Sequence, residues 1–310
     1  MSEKISVKAA FFETLLEVGV KHRNIVVINA DVFGSIKTDR FLHTFSDRHF
    51  DFGVSLDCAI GAACGMAVRG KVPILCATAA QLSGCGTKIA NLVALPNLNL
   101  KIVGVNSGLS SSEDGACAQA ISDIALMRAI PNMKVYCPAD YWEAKRAAIG
   151  MADDFGPVYL RLHRSGVPII YDENYRFVSG KGTVVREGSE VAIFAIGPMV
   201  YEAILAAELL AKEGVSAEVL DMCSIKPIDS ELILKVARGK KKLFTVEDHY
   251  VDGGLGSAIS EVLAGGGCGV PLKRIAVEKF GESGKPEHLY GKMGLNAEGI
   301  YNLVFKSSMG

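Results

Sequence analysis

NIVVINAD, residues 24–31, is an unbroken apolar run closed by an acid. A strand buried on both faces has this texture, because a parallel sheet covered by helices leaves no solvent side on which polar residues could alternate. Just upstream, apolar residues at 11, 12, 15, 16 and 18 recur at helical spacing, so the pair reads as helix then strand. Four similar runs follow: KVPILCA (71–77), LKIVGVN (100–106), MKVYCPA (133–139) and GPVYLRL (156–162). Between them TKIANLVAL (87–95), QAISDIALMRAI (119–130) and YWEAKRAAIGMA (141–152) have helical texture. Such alternation predicts an α/β fold, a mainly parallel sheet flanked by helices on both faces.

The stretch 165–189, SGVPIIYDENYRFVSGKGTVVREGS, is rich in Gly, Ser and charge and reads as a connection. A second αβ series follows: EVAIFAIG (190–197), MVYEAILAAELLAKEG (199–214), SAEVLDM (216–222), SELILKVARGK (230–240), KKLFTVEDH (241–249) and PLKRIAV (271–277). A Gly-flanked helix precedes PLKRIAV and two helices end the chain. The expected organisation is a first domain over 1–168, a linker over 169–188 and a second domain over 189–310.

At 310 residues and 49% hydrophobic content the chain can bury a large core, and a net charge of -1 leaves no basic surplus for nucleic acid or a membrane surface. The N-terminus lacks a basic flank leading into an apolar core, and no window holds eighteen apolar residues in a row, which points to the cytoplasm. The 8 cysteines contain no C-x-x-C pair and mostly stand in apolar runs, as reduced core thiols do.

Three stretches invite chemistry. DGGLGSAISEVLAGGGCG (252–269) sets glycines before a helix, where backbone N–H groups can approach an anion, but Ile259 stands at the third glycine of the dinucleotide fingerprint; close helix packing is the alternative. SSSEDGACAQ (110–119) gathers hydroxyls and two carboxylates after a strand, the end where such sheets bind ligands. DFGVSLDCAIGAACG (51–65) opens a helix of small residues with one acid, Asp57. Burial there would raise its pKa and suit it to proton transfer; an acid in the first turn of a helix is also an ordinary stabiliser.

EDGACAQAISDIALMRAIPNMKVYCPAD (113–140), GPVYLRLHRSGVPIIYDE (156–173), FTVEDHYVDGGLGSAISEVL (244–263) and KFGESGKPEHLYGKMGLNAEGI (279–300) together resemble the C-terminal half of transketolase, over nearly the whole chain. The resemblance implies a pyrimidine-binding domain for thiamine diphosphate followed by a transketolase C-terminal domain. The family's diphosphate-binding domain, with its G-D-G and downstream Asn for Mg²⁺, is not in this sequence. A split enzyme is therefore implied: an N-terminal-half partner subunit supplies the metal and diphosphate ligands, the pair self-associates as a dimer of heterodimers, and sugar phosphates exchange a two-carbon ketol unit.

Against the family's N-V-G-I-A-E-Q-N-M-V-G-I-A-A-G, the stretch 51–65 puts Leu56 where the glutamate belongs that bonds the aminopyrimidine. Leucine cannot share a proton, and its neighbour Asp57, the candidate replacement, points about 100° away on a helix. The segment whose aromatics stack on the pyrimidine is here CATAAQLSG (76–84), and no Phe, Tyr or Trp lies between Phe52 and Tyr136. Thr78 and Gln81 of this segment, with Val32 and Leu56, are the implied cofactor contacts. Family histidines that touch the sugar fall on Asn106 and Ala118. The resemblance implies substrate contacts at Asp114 for a hydroxyl and at Arg164, Ser35 and Lys8 for phosphate, Lys8 standing where an arginine is usual. Two other readings stay open: a non-catalytic or regulatory subunit, and a carboligase with an altered substrate.

Overall fold

In a computed structural model, residues 4–30 and 38–308 are described. The strands are β1 (Lys4–Ser6), β2 (Ile25–Asn29), β3 (His49–Asp51), β4 (Val72–Thr78), β5 (Lys101–Val105), β6 (Lys134–Tyr136), β7 (Val158–Leu162), β8 (Gly166–Pro168), β9 (Thr183–Arg186), β10 (Val191–Ala195), β11 (Ala217–Asp221), β12 (Ser224–Lys226), β13 (Lys242–Tyr250) and β14 (Leu272–Val277). The helices are α1 (Val7–Lys21), α2 (Asp39–Thr44), α3 (Leu56–Val68), α4 (Ala79–Ser83), α5 (Gly86–Lys88), α6 (Asp123–Ala129), α7 (Tyr141–Asp153), α8 (Met199–Lys212), α9 (Ser230–Ala237), α10 (Leu255–Gly265), α11 (Pro286–Lys292) and α12 (Ala297–Ser308). The chain divides into two compact units, Met1–Ser107 with Leu126–Val178, and Gly108–Ala125 with Ser179–Gly310.

The first unit carries strands in the order β6-β7-β5-β4-β2-β3, each parallel to its neighbour. Every residue of β2, β5 and β7 is buried, the physical counterpart of their unbroken apolar runs. β1 pairs antiparallel with β8, a small ribbon that the sequence did not announce. In the second unit the order is β14-β13-β10-β11-β9, parallel except for the edge strand β9, which runs antiparallel to β11. β9 lies inside the segment read as a linker.

The start of that segment is fastened rather than loose. Asp140, the N-cap of α7, accepts from Glu143 N through one oxygen (2.8 Å) and from Ile170 N and Tyr171 N through the other (2.7 and 2.8 Å). Glu143 in turn accepts from Ala139 N at 2.7 Å and from the Tyr175 hydroxyl. Two buried carboxylates thus cap a helix and hold 170–175 against it, satisfying donors that a polar-looking loop would otherwise leave to water.

The first unit also buries a cation. Lys101 opens β5 with no exposed surface, and its ammonium donates to the carbonyls of Asp154 (2.6 Å) and Gly156 (2.8 Å). Burial lowers its pKa to about 7, opposed by the charge of Asp154. The folded chain sheds this proton near neutrality while the unfolded chain keeps it to the ordinary lysine range, so the group adds stability as pH rises from about 7 towards 10. The urea midpoint of Lys101→Met, compared with the parent across that range, is expected to lack this increment. A pH slope identical to the parent's would contradict it.

Candidate active site

In doubly wound sheets ligands collect at the carboxyl ends of the strands. In the first unit that edge carries Asn29 at the end of β2, Thr78 at the end of β4, Asn106 just past β5 and Arg164 just past β7. Lys8, in the first turn of α1, donates to Asn106 Oδ1 at 2.9 Å. The fold therefore joins the lysine expected at phosphate to the position of a family histidine. Arg164 is half-buried on the same edge. Val32 and Ser35 lie outside the described residues.

Leu56 is the first residue of α3 and half-buried; Asp57 follows it in the same first turn. The Asp57 side chain is 61% exposed and forms an ion pair with Lys88, and it accepts from Cys85 Sγ at 3.8 Å. The bond from Lys88, with its charge, holds the Asp57 carboxyl below its ordinary range, and Asp57 correspondingly raises Lys88. Of the two readings open for Asp57, the pairing and exposure favour the helix-start stabiliser over a buried carboxyl of raised pKa.

Thr78 and Gln81 are spent on each other. Thr78 caps α4, accepting from Gln81 N at 3.3 Å, while Thr78 Oγ1 donates to Gln81 Oε1 at 2.8 Å and Thr78 N approaches the same oxygen at 3.4 Å. This reciprocal cap explains why the segment turns into a helix where the family has aromatics.

These observations bear on the aminopyrimidine end of thiamine diphosphate. The position that the resemblance gives to a proton-sharing acid holds leucine, the adjacent acid is committed to Lys88, and the two polar side chains at the strand end close on one another. The residues present do not fit activation of that ring. Among the described residues, no group of three or more His, Cys, Asp or Glu converges as a metal site.

Asp114 lies in the second unit, exposed, on the loop 108–121. Ser112 Oγ donates to Gly284 O (2.7 Å), Gly284 N returns a bond to Ser112 O (3.2 Å), and Gln119 Nε2 donates to Glu282 O (3.0 Å). Tyr250 N reaches Ile121 O at 2.7 Å, and Ala125 N donates to His249 Nε2 at 3.2 Å. Because that ring nitrogen accepts, the proton of neutral His249 sits on Nδ1, 2.7 Å from Tyr250 O. The loop bearing Asp114 is therefore supported by β13 and by the residues before α11.

The glycine-rich stretch 252–269 receives an anion, but from its own chain. Glu247, fully buried in β13, accepts from Leu255 N (2.7 Å) and Gly256 N (2.8 Å) at the start of α10. A Cβ on Gly254 would stand 1.9 Å from Glu247 Oε2, so glycine there lets the carboxylate in. The Leu255 and Gly256 N–H groups, which a phosphate here would use, are taken by Glu247.

A polar cluster that the sequence reading missed closes the end of β2. Asn29 Nδ2 donates to Thr38 Oγ1 (2.8 Å) and to His49 Nε2 (3.1 Å), all three residues buried. Burial lowers the His49 pKa, against the pull of Asp51 and Asp39, which agrees with an unprotonated accepting nitrogen. The one sequence signal was Asn29 itself, a polar residue ending an apolar strand. Of the cysteines, 76, 85, 137 and 223 are buried, whereas Cys58 and Cys117 are exposed, so the core-thiol expectation holds for only part of the set.

Two units, each a mainly parallel sheet flanked by helices, define a class of paired α/β domains, and comparison identifies both. The transketolase pyrimidine-binding domain matches residues 3–169 and the transketolase C-terminal domain matches 180–300. A putative transketolase C-terminal section from Methanocaldococcus jannaschii is 43% identical, covering 96% of this chain and 95% of that one. A 6-deoxy-6-sulfo-D-fructose transketolase subunit from Clostridium sp. (strain MSTE9) is 39% identical over 94% and 90%. A solved structure described as a split gene transketolase, inactive beta4 tetramer, superposes with a TM-score of 0.91 at 38% identity over 99% of both chains. The chain belongs to the transketolase family.

Proposed function

We propose that this chain is the C-terminal subunit of a split transketolase, moving a two-carbon ketol unit between sugar phosphates together with an N-terminal-half partner. The observation that carries this reading is that two transketolase domains account for nearly the whole chain, while relatives of matching length are themselves named as a section or a subunit. Residues 1–168 form the pyrimidine-side domain and 189–310 the C-terminal domain, joined by 169–188. Lys8, Ser35, Arg164 and Asp114 are the residues assigned to the sugar phosphate, Lys8 and Arg164 being half-buried and Asp114 exposed. Val32, Leu56, Thr78 and Gln81 would contact the pyrimidine side of thiamine diphosphate, and the partner would supply the ligands for its Mg²⁺ and diphosphate. Self-association of the pair completes the assembly, and the beta4 tetramer of the similar chain supports a tendency of such chains to self-associate. Among the described residues no helix is long and apolar enough to cross a membrane, in keeping with the cytoplasmic location we propose.

One observation favours a second reading, a non-catalytic or regulatory subunit: Leu56 offers no acid and Asp57 is held by Lys88. The test is to mix the purified chain with the N-terminal-half subunit from the same genome, thiamine diphosphate and Mg²⁺, and to follow transfer from a ketose phosphate donor to an aldose phosphate acceptor. Transfer by the pair and none by either chain alone is the expected result. A pair that binds thiamine diphosphate yet transfers nothing would give way to the regulatory reading, and turnover by this chain alone would end both.

A further inference from the structure

The polar cluster at the end of β2 is a buried triangle. Asn29 Nδ2 lies 2.8 Å from Thr38 Oγ1 and 3.1 Å from His49 Nε2, and the last two atoms are 3.3 Å apart. Three elements meet there, since Asn29 ends β2, Thr38 precedes α2 and His49 opens β3. None of the three residues is more than 8% exposed. In the neutral ring Nε2 accepts and Nδ1 carries the proton. Asn29 therefore serves the triangle with its NH₂ end, and the other end is left over: Oδ1 is buried without a hydrogen-bond partner. A buried acceptor that lacks a donor costs free energy that an apolar residue would not.

Which end of the amide suits the ring depends on one proton. On a protonated His49 both ring nitrogens donate, so Nε2–H would meet the Asn29 NH₂ donor against donor. Turning the amide over about Cβ–Cγ exchanges its two ends. Oδ1 then accepts from Nε2–H and from the Thr38 hydroxyl, which can donate as well as accept, and the NH₂ end becomes the one left over. A hydrogen bond from a charged donor is stronger than a neutral one, so the turned amide suits the cation as the observed one suits the neutral ring.

The surrounding charges leave this choice to the triangle. Burial lowers the proton affinity of His49, while Asp51 on its own strand and Asp39 at the start of α2, both exposed, raise it. Arg40 and His43 on α2 and Asp47 before β3 are exposed, and Arg48 donates to the carbonyls of Gly19 and His22. β2 and β4 carry no charged residue. Lys8, Glu13, Glu17 and Lys21 of α1 bond to Asn106, Tyr141, Lys145 and Asp153, and Asp57 of α3 pairs with Lys88. Among the described residues, only Asn29 and Thr38 stand within hydrogen-bond distance of Nε2.

We propose that Asn29, Thr38 and His49 form a proton-operated switch on the carboxyl edge of the first unit. Uptake of one proton from solvent by His49 Nε2 turns the Asn29 amide over, so the joint between β2, α2 and β3 is tied by one hydrogen-bond pattern above the transition and by its reverse below. The switch belongs to this chain alone and stands apart from the ketol-transfer reading.

NMR titration of the full chain, carrying ¹³C at histidine Cε1, tests it. The chain has 6 histidines, and the His49 signal is the one lost in His49→Gln. Asn29→Leu keeps the side-chain size and removes both ends of the amide. Where the amide turns, Asn29 supports the cation, and the leucine variant is expected to bind the His49 proton about fivefold more weakly, titrating at lower pH. Where the NH₂ end stays fixed towards the ring, Asn29 supports the neutral form and the same variant would titrate at higher pH. That result, an unmoved titration, or a His49 that never titrates before the chain unfolds would overturn the proposal. Should the leucine variant not fold, the parent decides. With ¹⁵N-labelled asparagine, the Asn29 NH₂ signal, identified by its loss in Asn29→Asp, is expected to shift in step with the His49 titration as the group leaves both acceptors; a signal that stays in place through that titration overturns the proposal.

Discussion

Leu56→Glu is expected to raise ketol transfer by the assembled pair by about a hundredfold, the low end of what one positioned proton-sharing group contributes. The position opens α3, half-buried, so a carboxyl placed there meets the positive end of the helix while partial burial keeps its proton affinity from falling far. Asp57 does not already fill this role, because it is mostly exposed, about 100° around the helix, and tied to Lys88. Accordingly Asp57→Asn in the parent should change transfer by less than about twofold, far below the effect of losing a general acid or base. Both variants are read in the same coupled assay with the partner present. If glutamate at 56 leaves the rate unchanged while Asp57→Asn abolishes it, the acid is Asp57 after all and the exposed ion pair is rearranged in the assembly.

The second large effect is on stability. Glu247→Leu removes the acceptor for two buried backbone donors, Leu255 N and Gly256 N, and each stranded donor costs about 1–3 kcal/mol. A loss of about 2–6 kcal/mol is a large part of the stability of an ordinary domain. Glu247→Gln keeps one carbonyl acceptor and should fall between the parent and the leucine variant. Urea unfolding reports all three, and a leucine variant with the parent's midpoint would show that α10 is capped by something else.

How far the sequence disclosed this molecule depends on which force acted. Strands buried on both faces announce themselves, so NIVVIN and VAIFA could be placed from composition alone. Helices with a cap or an apolar stripe, such as α7 and α8, were equally plain. Edge elements were not: β3, β9 and the β1–β8 ribbon are short and partly exposed, and exist because a neighbour offers hydrogen bonds. Nor could spacing show that Leu255 N and Gly256 N donate to Glu247, for which Gly254 makes room, since the carboxyl comes from another element. At the site, Leu56 was read as a departure through the resemblance alone, and the pairing of Asp57 with Lys88, thirty-one positions on, is a tertiary fact. So is the meeting of Lys8 with Asn106.

The loop that bears Asp114 belongs by position to the first half of the chain and by attachment to the second, through Ser112, Gln119 and Ile121. The two halves are consequently poor candidates for free exchange between relatives. A chimera joined at 178/179 would set one parent's loop on the other parent's anchoring residues, so any mismatch at 282, 284 or 250 would loosen the loop that bears Asp114.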